Sequence, residues 1–305
     1  MSLALLGAVS QGILWGIMVL GVFITYKMLD IADLTVDGSF ALGGCVAAVA
    51  SVSLGLDPVA SVLLGTMAGI VAGLVTGCLH TLFDIPAILA GILTQIALWS
   101  INLRVMGKSN TPLLNVDTVF TRVAGILGVS QPVATMLVGL AIAAVVIALM
   151  YWFFGTEIGS AMRATGNNED MCRALGIDVR VTKLIALAIS NGLVGLSGAL
   201  ICQSQKYADI GMGTGAIVIG LAAIVIGEVL GRLVPGGIHA FGSRLTSAVV
   251  GSVVYFLIRA IVLQLGLDPN DMKLLSAAIV AIALVVPVMV ERGQLRRSYS
   301  KGGEL

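Results

Sequence analysis

The chain has 305 residues, of which 58% are hydrophobic and 11% charged, with a mean hydropathy of +1.06 and a net charge of +1. Soluble domains carry roughly a quarter charged residues, so this composition excludes one, and the near-neutral balance excludes a nucleic-acid partner. A polytopic membrane protein remains, and the 38 glycines fit it, because membrane helices use small residues to bring backbones together.

Crossing the hydrocarbon takes about 20 apolar residues per helix. On that ruler nine candidates occur, near residues 4–26, 38–55, 59–79, 86–103, 132–154, 181–203, 213–231, 240–265 and 272–290. The expected fold is all-α, one transmembrane domain over 1–305 with about nine crossing helices. The first stretch lacks a basic leading segment and further spans follow it, so it reads as a retained helix rather than a signal peptide.

Between the first two spans, residues 28–40 carry Asp30, Asp33 and Asp37 among apolar neighbours. Charge in hydrocarbon is costly, so these carboxylates must reach water or hold partners. Two readings stay open. One is a surface turn with Asp37 or Ser39 near a helix start. The other is a re-entrant segment, in which Asp33, Thr35 and Asp37 line the pathway and non-helical backbone is tolerated beside protein or water. The second and third spans form a tight helical hairpin. On the fourth, Gln95, Trp99 and Asn102 fall at i, i+4 and i+7 and share one face. With Ser190 and Asn191 on the sixth they are candidate substrate contacts, the alternative being hydrogen bonds between helices. The loop 104–131, rich in Gly, Asn, Thr and Pro, is expected outside.

The longest polar interruption is 156–183. It carries Glu157, Arg163, Asn167, Glu169, Arg173 and Lys183, while Met162, Met171, Ala174 and Leu175 recur at spacings that give short helices one apolar face. Such a segment serves either as a solvated linker or as a docking site for a soluble partner. Further on, Gly211, Gly213 and Gly215 break the chain before the seventh span. Glu228 near that span's end reads as a surface pair with Arg232 at i+4, and 232–237 reads as a turn. Setting Asp33 against Asp209 brings Gly44 onto Gly220 and Ala47 onto Ala223, a weak two-fold internal repeat of the kind that surrounds transporter pathways. The four cysteines and the two histidines, His80 and His239, lack metal-ligand spacing, so no metal site is expected.

Several stretches resemble one family. Ala161-Met162-Arg163-Ala164-Thr165-Gly166-Asn167-Asn168, followed by Ala174-Leu175-Gly176-Ile177-Asp178-Val179, resembles the coupling segment of ABC importer permeases of the branched-chain amino acid and ribose type. Asp33-Leu34-Thr35-Val36, then Gly38 and Ala41-Leu42-Gly43-Gly44, is similar to that family's Asp-Leu-Ser-Val-Gly signature, with Thr35 in place of Ser and Asp37 inserted before the Gly. Pro86-Ala87-Ile88-Leu89 with Thr94 is similar to its Pro-Ala-Phe-Ile and downstream Thr.

The resemblance implies a transporter subunit rather than an enzyme. Glu157, Arg163, Ala164, Gly166, Asn167, Ala174, Leu175 and Gly176 would seat in a cleft of a separate ATP-binding cassette subunit, with Gly166 and Gly176 capping the short helices. The chain has no Gly-rich phosphate loop with its Lys, so ATP and Mg would be held by that partner and no cofactor by this chain. An extracellular or periplasmic solute-binding protein would deliver substrate, and a second permease copy would complete a homodimer. The likeness is strongest to the branch associated with aromatic amino acids, tryptophan or tyrosine; branched-chain amino acids, sugars and nucleosides are alternatives. The implied location is the bacterial cytoplasmic membrane. Placing 156–183 inside puts Lys27, Arg163, Arg173, Arg180, Lys183, Arg232, Arg244, Arg292, Arg296, Arg297 and Lys301 inside, and leaves Arg104, Lys108, Arg122, Lys206, Arg259 and Lys273 outside. That excess gives an outer N-terminus and an inner C-terminal tail, 291–305. A different class, an ion-coupled secondary transporter, would have to use Asp33, Asp37 and Glu228.

Overall fold

The computed structural model describes residues 2–114, 116–233, 241–266, 271, 274, 276–282 and 285. Helix α1, Ser2–Phe23, runs on through one wide π-helical turn, Ile24–Met28. Helices α2 (Thr35–Val52), α3 (Pro58–Thr81) and α4 (Ala87–Met106) follow, then strand β1 (Asn110–Pro112) and the short α5 (Val119–Leu127). After α6 (Gln131–Gly155) come two short helices, α7 (Glu157–Asn167) and α8 (Glu169–Ala174). The long α9 (Val179–Gln205) leads to β2 (Tyr207–Asp209), which pairs antiparallel with β1, and the chain continues through α10 (Ala216–Leu233) and α11 (Phe241–Gln264).

Local chemistry sets these boundaries. Asp57 caps α3 by accepting from the Val59 N–H at 3.0 Å, and Pro58 stands at the first helical position, where a missing N–H costs nothing. Thr118 and Thr121 close a capping box on α5. Gly107 and Gly128 end α4 and α5 in the left-handed region, at φ 67° and 65°.

Among the described residues seven helices are long and apolar enough to cross a membrane, fewer than the nine expected. Helix α10 falls short because residues 210–215 run into the bundle without helical geometry and use up part of its length; its apolar stretch is Ala216–Gly231. The second span begins earlier than expected, at Thr35, and the long eighth candidate is one unbroken helix, α11. The ninth candidate and the tail 291–305 lie largely or wholly outside the described residues, as does most of the 232–237 turn.

The weak repeat corresponds to a physical two-fold relation. Asp33 accepts from the N–H of Thr35 at 2.9 Å, and Asp209, 176 residues later, accepts from the N–H of Gly211 at 2.8 Å. Between α1 and α9 the Ser190 hydroxyl donates to the Gly21 carbonyl and the Ser197 hydroxyl to the Leu14 carbonyl, each at 2.8 Å. Adding the same 176 residues to Leu14 and Gly21 gives Ser190 and Ser197, so the two contacts join related pairs of positions, with the hydroxyl supplied by α9 in both. The relation extends outward, since α9 packs on α3 much as α1 packs on α11.

Helices α1, α2 and α9 form the buried centre, where Trp15 lies against Phe40 and Phe256 at ring separations of 4.7 and 5.5 Å. Gly65, Gly69 and Gly73 make a stripe on α3 where added Cβ atoms would strike backbone of α2 and α9, so the three helices approach more closely than larger residues allow. Helices α3, α4 and α6 turn large apolar side chains outward, among them Leu63, Ile96 and Leu140. A surface of that extent is a liability in water and is at home against lipid.

Candidate functional site

Two features stand out: a polar seam inside the bundle, and the pair α7–α8 at one end of it. The seam begins where the chain leaves the π-helical turn. Residues 29–34 fold inward and deliver Asp33, 2% exposed, to Asn191 on α9, whose side-chain amide donates to the carboxylate at 2.7 Å. The same amide donates to the Leu187 carbonyl at 3.0 Å, and its oxygen accepts from the Ser39 hydroxyl at 2.6 Å. Every hydrogen-bonding atom of Asn191 is therefore in use. Asn191 stands twelve residues beyond Val179, the first of α9, about 18 Å at 1.5 Å per residue. That placement favours the inward-folded reading: Asp33 is carried into the bundle against the middle of α9, while Asp30 and Ala32 of the same segment stay exposed.

A hydroxyl chain ties the start of α2 to its other neighbours. Thr35 meets Thr76 of α3 at 2.8 Å, Thr76 donates to Thr94 of α4 at 3.0 Å, and Thr94 donates to the Ala90 carbonyl at 3.0 Å. Asp37 does something different. Its carboxylate accepts from the N–H groups of Gly215 at 2.8 Å and Ile217 at 3.0 Å, so a side chain of α2 caps the first turn of α10. Helix starts carry orphan N–H groups and partial positive charge, and a carboxylate satisfies both. The second inward segment, 210–215, meets the first here: a Cβ at Gly213 would strike the Asp37 carbonyl, and Met212 lies on Gly44.

Of the other expected pathway residues, Gln95 is half-buried beside Gly38, and Trp99 is 49% exposed with its ring edge near Gly211. Asn102 is 1% exposed, with no partner for its side-chain oxygen among the described residues. Asp33, Thr35 and Asn191 are thus drawn together, Asp37 serves the neighbouring helix start, and the stripe on α4 flanks them without a direct polar bond. Thr76 was not legible as part of the seam, because a lone hydroxyl in an apolar helix does not announce its partner.

Helix α7 is set by Thr156, which caps it through the Gly159 N–H at 3.3 Å, and α8 by Asn168, which accepts from the Met171 N–H at 3.0 Å. Met162 is fully buried, and the Thr165 hydroxyl lies 3.4 Å from that of Thr182 on α9. Gly166 was expected as a cap. It lies instead inside α7, with Asn168 ending the helix, and its lack of a side chain serves close approach: a Cβ there would overlap the Met28 carbonyl at the foot of α1. Gly176, at φ 82°, does occupy a turn that favours glycine. Glu169 pairs with Lys183 of α9 and, at 3.5 Å, with Arg173. The outward face carries Glu157, Ala174 and Leu175, the last 69% exposed, with Met171 beside them at 49%; Arg163 and Asn167, also exposed, turn toward Lys27, Phe241 and Arg244, and Ala164 is half-buried.

Basic residues segregate by end. Lys27, Arg163, Arg173, Arg180, Lys183 and Arg244 gather at the α7–α8 end. Glu228 pairs there with Lys27 at 2.8 Å; the side chain of Arg232, its expected partner, lies outside the described residues. At the opposite end Arg122 pairs with Asp57, and its guanidinium holds that carboxyl below the usual carboxylate range. Among the described residues no cluster of His, Cys, Asp and Glu could hold a metal ion.

Residues 4–285 match the family model for the permease component of branched-chain amino acid transport systems. This chain belongs to that family. The permease is 37% identical over 297 residues to a tyrosine transport system permease protein of Clostridioides difficile, covering 97% of this chain and 94% of the relative. It is 30% identical to the uncharacterized protein RP368 of Rickettsia prowazekii, over 92% of this chain and 96% of that one. More distantly, it is 25% identical to the ribose import permease protein RbsC of Escherichia coli, over 83% and 76% of the two chains. The permease is a multi-pass membrane component of a transport system, and its family is one of transport components rather than enzymes.

Proposed function

We propose that this permease is the membrane subunit of an ATP-driven importer of an amino acid, aromatic in the first instance, working by alternating access. The observation that carries the ATP-driven part is the seating of α7 and α8. Gly166 lets α7 press on the Met28 carbonyl at the foot of α1, while Thr165, Glu169 and Lys183 fix the pair to the foot of α9. Helices α1 and α9 are the two central members of the pseudo-symmetric pair, so a push on α7–α8 reaches both halves of the bundle together. Met171 and Leu175 stay exposed on the outward face, available to an ATP-binding cassette subunit that would hold ATP and Mg.

A solute-binding protein would deliver substrate at the β1–β2 end, and a second copy of the chain would complete the pathway. The basic excess at the α7–α8 end supports placing that end in the cytoplasm, with the permease in the bacterial cytoplasmic membrane. The aromatic substrate is supported by the tyrosine system relative and by Trp99 and Gln95 on the exposed flank of α4. An ion-coupled carrier is less well supported, because each carboxylate it would use already holds a fixed partner: Asp33 with Asn191, Asp37 with the start of α10, Glu228 with Lys27.

The test is affinity purification from the native host in mild detergent, of the wild-type permease and of a Met171→Asp/Leu175→Asp variant. A stoichiometric P-loop ATPase should accompany the wild type and be lost from the variant. A permease that purifies without any ATPase and takes up substrate on a proton gradient alone would end the ATP-driven reading.

A further inference from the structure

Between α7, the π-helical turn and the first turn of α11 lies a pocket of about 440 Å³ lined by Lys27, Arg163, Asn167, Phe241 and Arg244, with no acidic residue in its described lining. The charges around it do not balance. Glu228 takes Lys27 at 2.8 Å, whereas Arg163 lies over the Phe241 ring at 5.8 Å with the Ser160 hydroxyl at 3.3 Å, and Arg244 has no carboxylate partner among the described residues. Two guanidinium groups therefore face one small volume uncompensated. Guanidinium groups presented side by side with an amide form the donor set suited to a phosphate.

The depth of the pocket identifies the kind of phosphate. The apolar spans Ala4–Met28 and Phe241–Gln264 end and begin at its walls, so it sits where hydrocarbon gives way to headgroups. Tyr151 and Trp152, 60% and 69% exposed near the end of α6, mark the same level, as aromatic residues do at membrane interfaces. Tyr151 stands beside the first turn of α11, since a Cβ at Gly242 would lie 3.5 Å from its ring.

We propose that this pocket binds the phosphate of an acidic phospholipid, whose acyl chains run along the outward apolar faces of α6 and α11. Bound lipid would bridge α7, α1 and α11, and so stiffen the joint between the short helices and the bundle. The proposal does not depend on the ATP-driven reading, and its readout is lipid binding rather than transport.

Native mass spectrometry of the whole permease, titrated in neutral detergent with phosphatidylglycerol or phosphatidylcholine, tests it. One phosphatidylglycerol should be retained at about a tenth of the phosphatidylcholine concentration. Removing two cations in R163Q/R244Q should weaken that binding by about thirtyfold, roughly 2 kcal/mol at 1.4 kcal/mol per tenfold. R104Q/K108Q, at the opposite end, should leave it unchanged. The charge-preserving R163K/R244K should retain the lipid, separating lost charge from lost fold; binding no better than that of the glutamine variant would refute the proposal. So would wild-type retention by R163Q/R244Q. Displacement of the lipid by millimolar inorganic phosphate would assign the pocket to a free anion and overturn the lipid assignment.

Discussion

Replacing Asp37 measures how much the inward-folded segments depend on each other. Its carboxylate accepts two part-buried hydrogen bonds from the start of α10. Hydrogen bonds to a charged group contribute about 1.5–3 kcal/mol each, and a buried donor left unmade costs about 1–3 kcal/mol. Asp37→Ala removes both acceptors, and partial rescue by rearranged backbone, common in membrane proteins, brings the expected loss to about 3 kcal/mol. Asp37→Asn keeps one acceptor and should cost about half as much, part of it the favourable placement of a negative charge at the start of α2. The assay is reversible unfolding in mixed micelles, followed by the fluorescence of Trp15, Trp99 and Trp152. An Asp37→Ala variant within about 0.5 kcal/mol of wild type would refute the capping role.

Other consequences follow from the same contacts. Asn191→Ala strips Asp33 of its side-chain partner and should destabilise the permease by about 3 kcal/mol, read in the same assay; a neutral result would mean that the seam is hydrated. Gly166→Val should force α7 off the Met28 carbonyl and abolish substrate-stimulated ATP turnover in the reconstituted transporter while leaving expression and assembly intact. Unchanged stimulation would remove the coupling role. The Asp57–Arg122 pair adds a pH dependence whose sign is fixed. The folded-state carboxyl titrates below its ordinary value of 3.8, so the contribution of the pair is full above that pH and is lost as pH falls through the folded value. Arg122→Gln should flatten that acid-side loss in an unfolding titration.

Hydropathy by itself determined that this chain crosses a membrane many times, because an apolar run of span length has no other stable home. Polarity likewise exposed 156–183 as a segment of short helices, but its N-caps Thr156, Asn168 and Asp178 became evident only in the structure. The repeat was visible only faintly, because two-fold related halves conserve backbone course more than side chains; the exchange of Ser190–Gly21 for Leu14–Ser197 became evident in the packed helices. The tertiary structure alone decided which charges meet. Asp33 finds Asn191 and Asp37 finds the start of α10, partners 158 and about 180 residues away, and Lys27 at the foot of α1 takes Glu228 of α10. Gly166 gives the same lesson, since a glycine near a helix end looks like a cap until the backbone it must admit is in place. In hydrocarbon a buried polar group is held by whatever the fold brings near it, and sequence distance says little about that.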